Sequence, residues 1–283
     1  LTGYLDDALE STITELSKEG LKKEIDISYR AWNAEYWLGR HGLLKPYIAT
    51  LFNEKAPAHG LHVDISTKEK DTLLGLDWYR FLLRSKYTIG VEGGSSILDS
   101  DGTIRKKVSA FLAQHPNATF EETENACFKG MDGNLNLFAL SPRHLEACVT
   151  RTCQILVEGS YNDVLKPNIH YLELKKDFSN IDTILSQLKD DNLREKITTQ
   201  AYNDIVLSKA YTYRHLVDTV MNACNLTTKN ASSSHWLTLN RLRERLLWSR
   251  LRTEVVLWKN IKKYSPTPII HGIKTLKKLI LKE

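Results

Sequence analysis

Short apolar runs alternate along the chain with longer stretches whose apolar residues recur every three or four positions. The runs at 24–30, 61–66, 87–92, 152–158 and 170–174 predict strands. The most continuous of them, Cys153-Gln154-Ile155-Leu156-Val157, has the pattern of a strand covered on both faces. The stretches at 5–18, 43–54, 77–85, 142–149, 179–188, 191–208 and 212–224 predict helices, the first ending at Lys18-Glu19-Gly20. Strand and helix in turn, joined by short links, predict a parallel α/β sheet with helices on both faces. Two more helices, 102–114 and 120–129, lie in an insertion of about 45 residues that separates the third strand from Ser141.

Beyond residue 224 the pattern changes. The polar run 227–234 predicts a linker, and two helices follow it, split at Ser265-Pro266-Thr267-Pro268. In the second, Ile269, Ile273, Leu276 and Ile280 share one face while Lys274, Lys277, Lys278 and Lys282 share another. Charge follows the same division: 225–283 carry +10, from 13 Lys/Arg and 3 Glu, while 1–224 carry −5. A basic amphipathic segment of this kind suits an anionic membrane surface, with packing on another domain or subunit as the alternative. The acidic balance of 1–224, and a tail without an aromatic stacking pattern, speak against nucleic-acid binding.

Composition narrows the class a little further. With 42% hydrophobic and 26% charged residues the chain is an ordinary globular protein. No apolar run reaches the roughly 20 residues that cross a bilayer. The start, Leu-Thr-Gly-Tyr-Leu-Asp-Asp, has no secretory-signal pattern and no Met, so we expect a cytoplasmic protein and a piece of a longer chain. Cys127, Cys148, Cys153 and Cys224 have no metal-ligand spacing and are expected to be reduced thiols.

The most informative chemistry lies at Ser141-Pro142-Arg143-His144-Leu145-Glu146-Ala147. Ser141 suits a helix cap and Pro142 the first helical position, so free N–H groups and a partial positive charge meet whatever sits above. Arg143 adds a guanidinium for a phosphate, and Glu146 a carboxylate for two ribose hydroxyls. The bland reading is a capped surface helix with an ion pair. Arg30 follows the first strand at its carboxyl end, where open α/β sheets bind their ligands and a fixed cation would suit an anion. Lys45 is a second candidate cation, with Arg40 the alternative to it. Gly93, Gly94 and Ser95, after Glu92, allow close backbone approach to a ligand and an anion nest, against the plain reading of a tight turn. Asp99-Ser100-Asp101-Gly102 reads as a helix cap in preference to a metal motif, and no metal is expected. Asp77 and Trp78 read as cap and anchor of a helix, with base stacking on Trp78 as the alternative, and His62, His144 and His170 as structural histidines.

In their order along the chain these blocks resemble the C-terminal, donor-binding domain of a retaining GT-B glycosyltransferase. The matching segments are Asp26-Ile27-Ser28-Tyr29-Arg30 with Lys45, then Gly75-Leu76-Asp77-Trp78-Tyr79-Arg80-Phe81-Leu82, Tyr87-Thr88-Ile89-Gly90-Val91-Glu92-Gly93-Gly94-Ser95-Ser96, Ser141 to Ala147, and Asp204-Ile205-Val206-Leu207 with Tyr211-Thr212-Tyr213-Arg214. The resemblance implies a Rossmann-like fold forming half of a GT-B enzyme, with Glu146 on the donor ribose and Arg30 and Lys45 on the diphosphate. It further implies transfer from a UDP- or GDP-linked sugar to a glycan or lipid-linked acceptor, as in surface polysaccharide assembly, with no cofactor and with acceptor-side residues on a domain outside this chain. The group places a second glutamate eight residues before the ribose-binding one. That position is Phe138 here, and Glu92 is the expected substitute. The domain plan is a connecting segment at 1–23, a nucleotide-sugar domain at 24–224 and a basic tail at 225–283 that holds the protein on the inner face of the membrane. The competing reading is a non-catalytic, degenerate transferase module that anchors a complex.

Overall fold

The computed structural model describes residues 3–224. The expectations for the tail, 235–283, lie outside the described residues. A five-stranded parallel sheet organises the domain: β1 (Ile25–Arg30), β2 (Val63–Ser66), β3 (Ser85–Gly90), β6 (Cys153–Val157) and β7 (Leu172–Leu174), in the spatial order β2-β1-β3-β6-β7. All five residues of β6 are buried, as its unbroken apolar pattern requires of a strand covered on both faces. One face packs Ile48, Ala49 and Phe52 of α2 (Arg40–Lys55) and Ile181, Ile184 and Leu185 of α7 (Ile181–Gln187). The other packs Leu9, Ile13 and Leu16 of α1 (Leu9–Ser17), Tyr79 of α3 (Leu76–Leu83), and Leu145, Cys148 and Val149 of α6 (Pro142–Val149). The expected α/β sheet with helices on both faces is therefore present. The segment expected to be a connection, around α1, packs into the same core as the site helix α6.

After β1 the chain steps to one side to form β2, then crosses back to form β3 on the other side. This reversal opens a crevice at the carboxyl ends of β1 and β3, the place where open α/β sheets bind ligands.

Two short strands escaped the sequence pattern. β4 (Gly93–Ser95) and β5 (Leu137–Ala139) pair antiparallel, with Gly94 opposite Phe138. Between them the insertion forms α4 (Thr103–Gln114) and α5 (Phe120–Cys127), with a small core of Ile97, Ile104, Val108, Phe120 and Phe128. A reciprocal Thr119/Glu122 capping box starts α5. The predicted helix 191–208 divides into α8 (Asp191–Ala201), capped by Asp190, and a π-helical turn over Tyr202–Leu207 that carries Ile205 and Val206 into the core. The last described helix is α9 (Tyr213–Ala223).

Candidate functional site

Helix α6 starts beside the crevice. Ser141 is extended, Pro142 takes the first helical position, and His144 accepts a hydrogen bond from the Ser141 N–H at Nδ1, 3.1 Å away. This is the geometry of a capping box with an imidazole where Glu or Gln usually stands. The bond places the ring proton on Nε2. His144 is buried edge-on to Tyr161, with ring centroids 5.3 Å apart. Burial first, then the charges of Arg143 and Lys45, push its pKa down to about 4. With His144 turned inward, Arg143 and Glu146 face the crevice.

There a cavity of about 540 Å³ brings together Arg30, Lys45, Gly93, Ser141, Arg143 and Glu146, six of the residues singled out from sequence. That is the size of a small-molecule site. Glu146 accepts from Trp78 Nε1–H at 2.8 Å and from the Tyr79 hydroxyl at 3.4 Å. Arg143 stacks over the Trp78 ring, 5.1 Å from its centroid, and donates to the carbonyl of Arg30. Lys45 has no hydrogen-bond or ion-pair partner among the described residues. Burial and then Arg143 lower its pKa. Two cations that press on each other, beside a histidine they help to keep neutral, make an electropositive pocket. A bound anion would relieve it.

Arg30 lines the cavity, but most of its donors are occupied. Its guanidinium bonds Asp64 Oδ1 at 2.8 Å and the carbonyls of Tyr29, Asp64 and Asp71, and sits 4.3 Å from the Phe81 ring centroid. It braces the ends of β1 and β2 and offers little of a free fork to a phosphate. Glu92 points elsewhere. Its carboxylate is buried and accepts from Tyr161 N–H at 2.7 Å and Ser160 Oγ–H at 3.2 Å, and it does not line the cavity. Gly94 and Ser95 also lie outside the cavity lining. Gly94, at φ +125°, lets β4 close on β5, and a Cβ there would overlap the Leu137 carbonyl oxygen. Ser95 donates to the Ile97 carbonyl. Arg40 is spent on Glu121 and Glu124 of the insertion, at 2.9 and 2.8 Å.

Asp99 accepts from the N–H groups of Ile104 and Arg105, and Asp101 from that of Thr103, so both cap α4. Among the described residues no group of three or more His, Cys, Asp or Glu is arranged to hold a metal ion. The residues that orient the site are ones given no orienting role from sequence: Trp78, read as a helix anchor with base stacking as the alternative, His144, read as structural, and Tyr79. The spacing Ser141-x-x-His144, which mimics a capping box, is the signal present in the sequence; the half-burial that makes the Trp78 N–H need a partner comes only with the fold.

No protein-family model and no curated protein matches the sequence. Among solved structures the chain is similar to TarM, at 12% identity and a TM-score of 0.34, over 71% of this chain and 35% of that one. It is also similar to the C-terminal domain of a glycosyl transferase group 1 family protein, LpcC, from Francisella tularensis, at 10% identity and a TM-score of 0.34, over 71% of this chain and 92% of that domain. The chain thus spans about a third of the length of TarM and nearly all of the LpcC domain.

Proposed function

We propose that the cavity at the ends of β1 and β3 binds a UDP- or GDP-linked sugar, and that this domain is the donor-binding half of a glycosyltransferase acting on a glycan or lipid-linked acceptor. The observation that carries the reading is the meeting of Glu146, Arg143, Lys45 and the α6 N-terminus in one cavity at the sheet's crevice. Glu146 takes the ribose hydroxyls, while Lys45, Arg143 and the positive end of α6 take the diphosphate and stabilise the charge it gains as it leaves.

Calorimetry with UDP, GDP and CMP tests this. UDP or GDP should bind, and CMP should not; Glu146→Ala should weaken that binding by about 10- to 100-fold, since a hydrogen bond to a charged group contributes about 1.5–3 kcal/mol. Undiminished affinity in that variant, or no nucleotide bound at all, refutes the assignment.

A second reading, a module that binds nucleotide but does not transfer, is favoured by one specific observation. Phe138 stands opposite Gly94 and stacks on His41 at 3.7 Å, while Glu92 is held on Tyr161. Neither supplies a carboxylate to the cavity. Turnover of a bound nucleotide-sugar to free nucleotide would decide against this module.

For location, no helix among the described residues is long and apolar enough to cross a membrane. The +10 charge of 225–283 supports peripheral attachment to an anionic, cytoplasmic membrane face. Equal recovery with neutral and anionic vesicles on flotation would remove that attachment.

A further inference from the structure

Trp78 touches both functional groups of the cavity at once. Its indole N–H lies 2.8 Å from Glu146 Oε2, and its ring carries the Arg143 guanidinium at 5.1 Å. Behind it Phe81 packs at 6.0 Å between ring centroids, and the Arg30 guanidinium covers Phe81 at 4.3 Å. The result is a tilted aromatic pair with an arginine over each ring. Arg143 then bonds the carbonyl of Arg30, which ties the outer cation back to the end of β1. Each contact restricts a side chain that otherwise samples many rotamers. Arginine and glutamate lose rotamer freedom when fixed, so holding them before ligand arrives removes that cost from binding.

Trp78 has one N–H, and that N–H is given to Glu146. A carboxylate held at Oε2 by this bond, and at Oε1 by the longer 3.4 Å bond from the Tyr79 hydroxyl, presents the rest of its lone pairs in a fixed direction, as a pair of neighbouring hydroxyls requires. The ring face acts separately, through cation–π attraction on Arg143. The two interactions use different parts of one residue and can be removed one at a time.

We propose that Trp78 is a positioning residue that serves both halves of the site: its N–H aims Glu146 at the diol of a ribose, and its ring face aims Arg143 at a diphosphate. This rests on the nucleotide reading given above and adds a division of labour that nucleotide binding alone does not require.

The test compares UDP and GDP with their 2′,3′-dideoxy counterparts and with inorganic pyrophosphate, by calorimetry on the full chain. Replacing Trp78 with β-(3-benzothienyl)alanine keeps the bicyclic ring and deletes only the N–H. The preference for ribose over dideoxyribose should fall about tenfold, the weight of a hydrogen bond to a charged group. Pyrophosphate affinity should stay at the wild-type value, because Arg143 still has its ring. Trp78→Phe should behave in the same direction, whereas Trp78→Leu should lose pyrophosphate affinity as well. Thermal melts confirm that each variant is folded, and the isosteric replacement serves if either substitution is not.

A wild-type ribose preference that survives the isostere overturns the proposal. So does a parallel loss of pyrophosphate affinity in the isostere, which would mean that the residue merely packs. A wild-type protein that binds nucleotide without regard to the ribose hydroxyls defeats the Glu146 assignment itself, and this inference with it.

Discussion

His144 couples the site to the stability of the fold. Its ring is buried at the entry of α6, neutral, and accepts from Ser141 N–H. Its pKa is pushed down to about 4 in the folded chain, against an ordinary value of about 6.5 when exposed. Above the ordinary value both states are neutral and the stability is fully present. As pH falls below it, the unfolded chain takes up a proton that the folded chain refuses. Each pH unit then lowers stability by about 1.4 kcal/mol, until the folded pKa is reached. The whole loss is about 3 kcal/mol, or about 10 °C in Tm for a domain of this size. His144→Gln isolates it, because a Gln at this position also accepts from the cap N–H yet does not titrate. Urea unfolding of both proteins between pH 8 and pH 4 should give curves that converge or cross as the wild type weakens. Parallel curves would show that His144 is not the group responsible. Nucleotide should raise the His144 pKa in the folded chain, since a diphosphate offsets the Arg143 and Lys45 charges that press on the ring, and so shrink the stability that the wild type loses as pH falls.

Two further outcomes follow from the same geometry. Lys45→Ala should lower nucleotide affinity by about 10- to 100-fold while leaving stability unchanged or slightly raised, because the variant removes a half-buried cation with no hydrogen-bond or ion-pair partner among the described residues; calorimetry and urea unfolding on one preparation read both, and a marked loss of stability would mean that Lys45 is structural. Gly94→Ala should destabilise by at least about 1–3 kcal/mol, from its positive φ and its approach to Leu137, whereas Gly93→Ala should cost under about 1 kcal/mol, its added Cβ meeting Ala139 O at 3.5 Å; equal unfolding midpoints for the two variants would contradict the role given to the β4–β5 pairing.

How much of this was legible in the chain depends on how far away each residue's partner lies. The strand and helix periods place nearly every element, and α6 falls at the residues its cap predicts. Ser141, Arg143 and Glu146 sit within two turns of one helix, so the side on which they emerge is fixed locally. The strands β4 and β5 were not legible, because each is three residues long and acquires its partner across the insertion.

The same distinction sorts the charged residues. Arg30 was correctly placed at the end of a strand, but what its guanidinium does is decided by Asp64 on the neighbouring strand, 34 residues on. Glu92 was correctly placed after β3, yet its direction is set by Tyr161, 69 residues on. A sequence read locally counts every arginine and glutamate as available, while the fold spends some of them on one another. The cations left over for a ligand are Lys45, without a hydrogen-bond or ion-pair partner among the described residues, and Arg143, held by a ring face that leaves its charge in place. On the proposed nucleotide-sugar reading, the diphosphate therefore falls to the pair Arg143 and Lys45 in place of the expected pair Arg30 and Lys45, with Arg30 supplying the carbonyl that fixes Arg143.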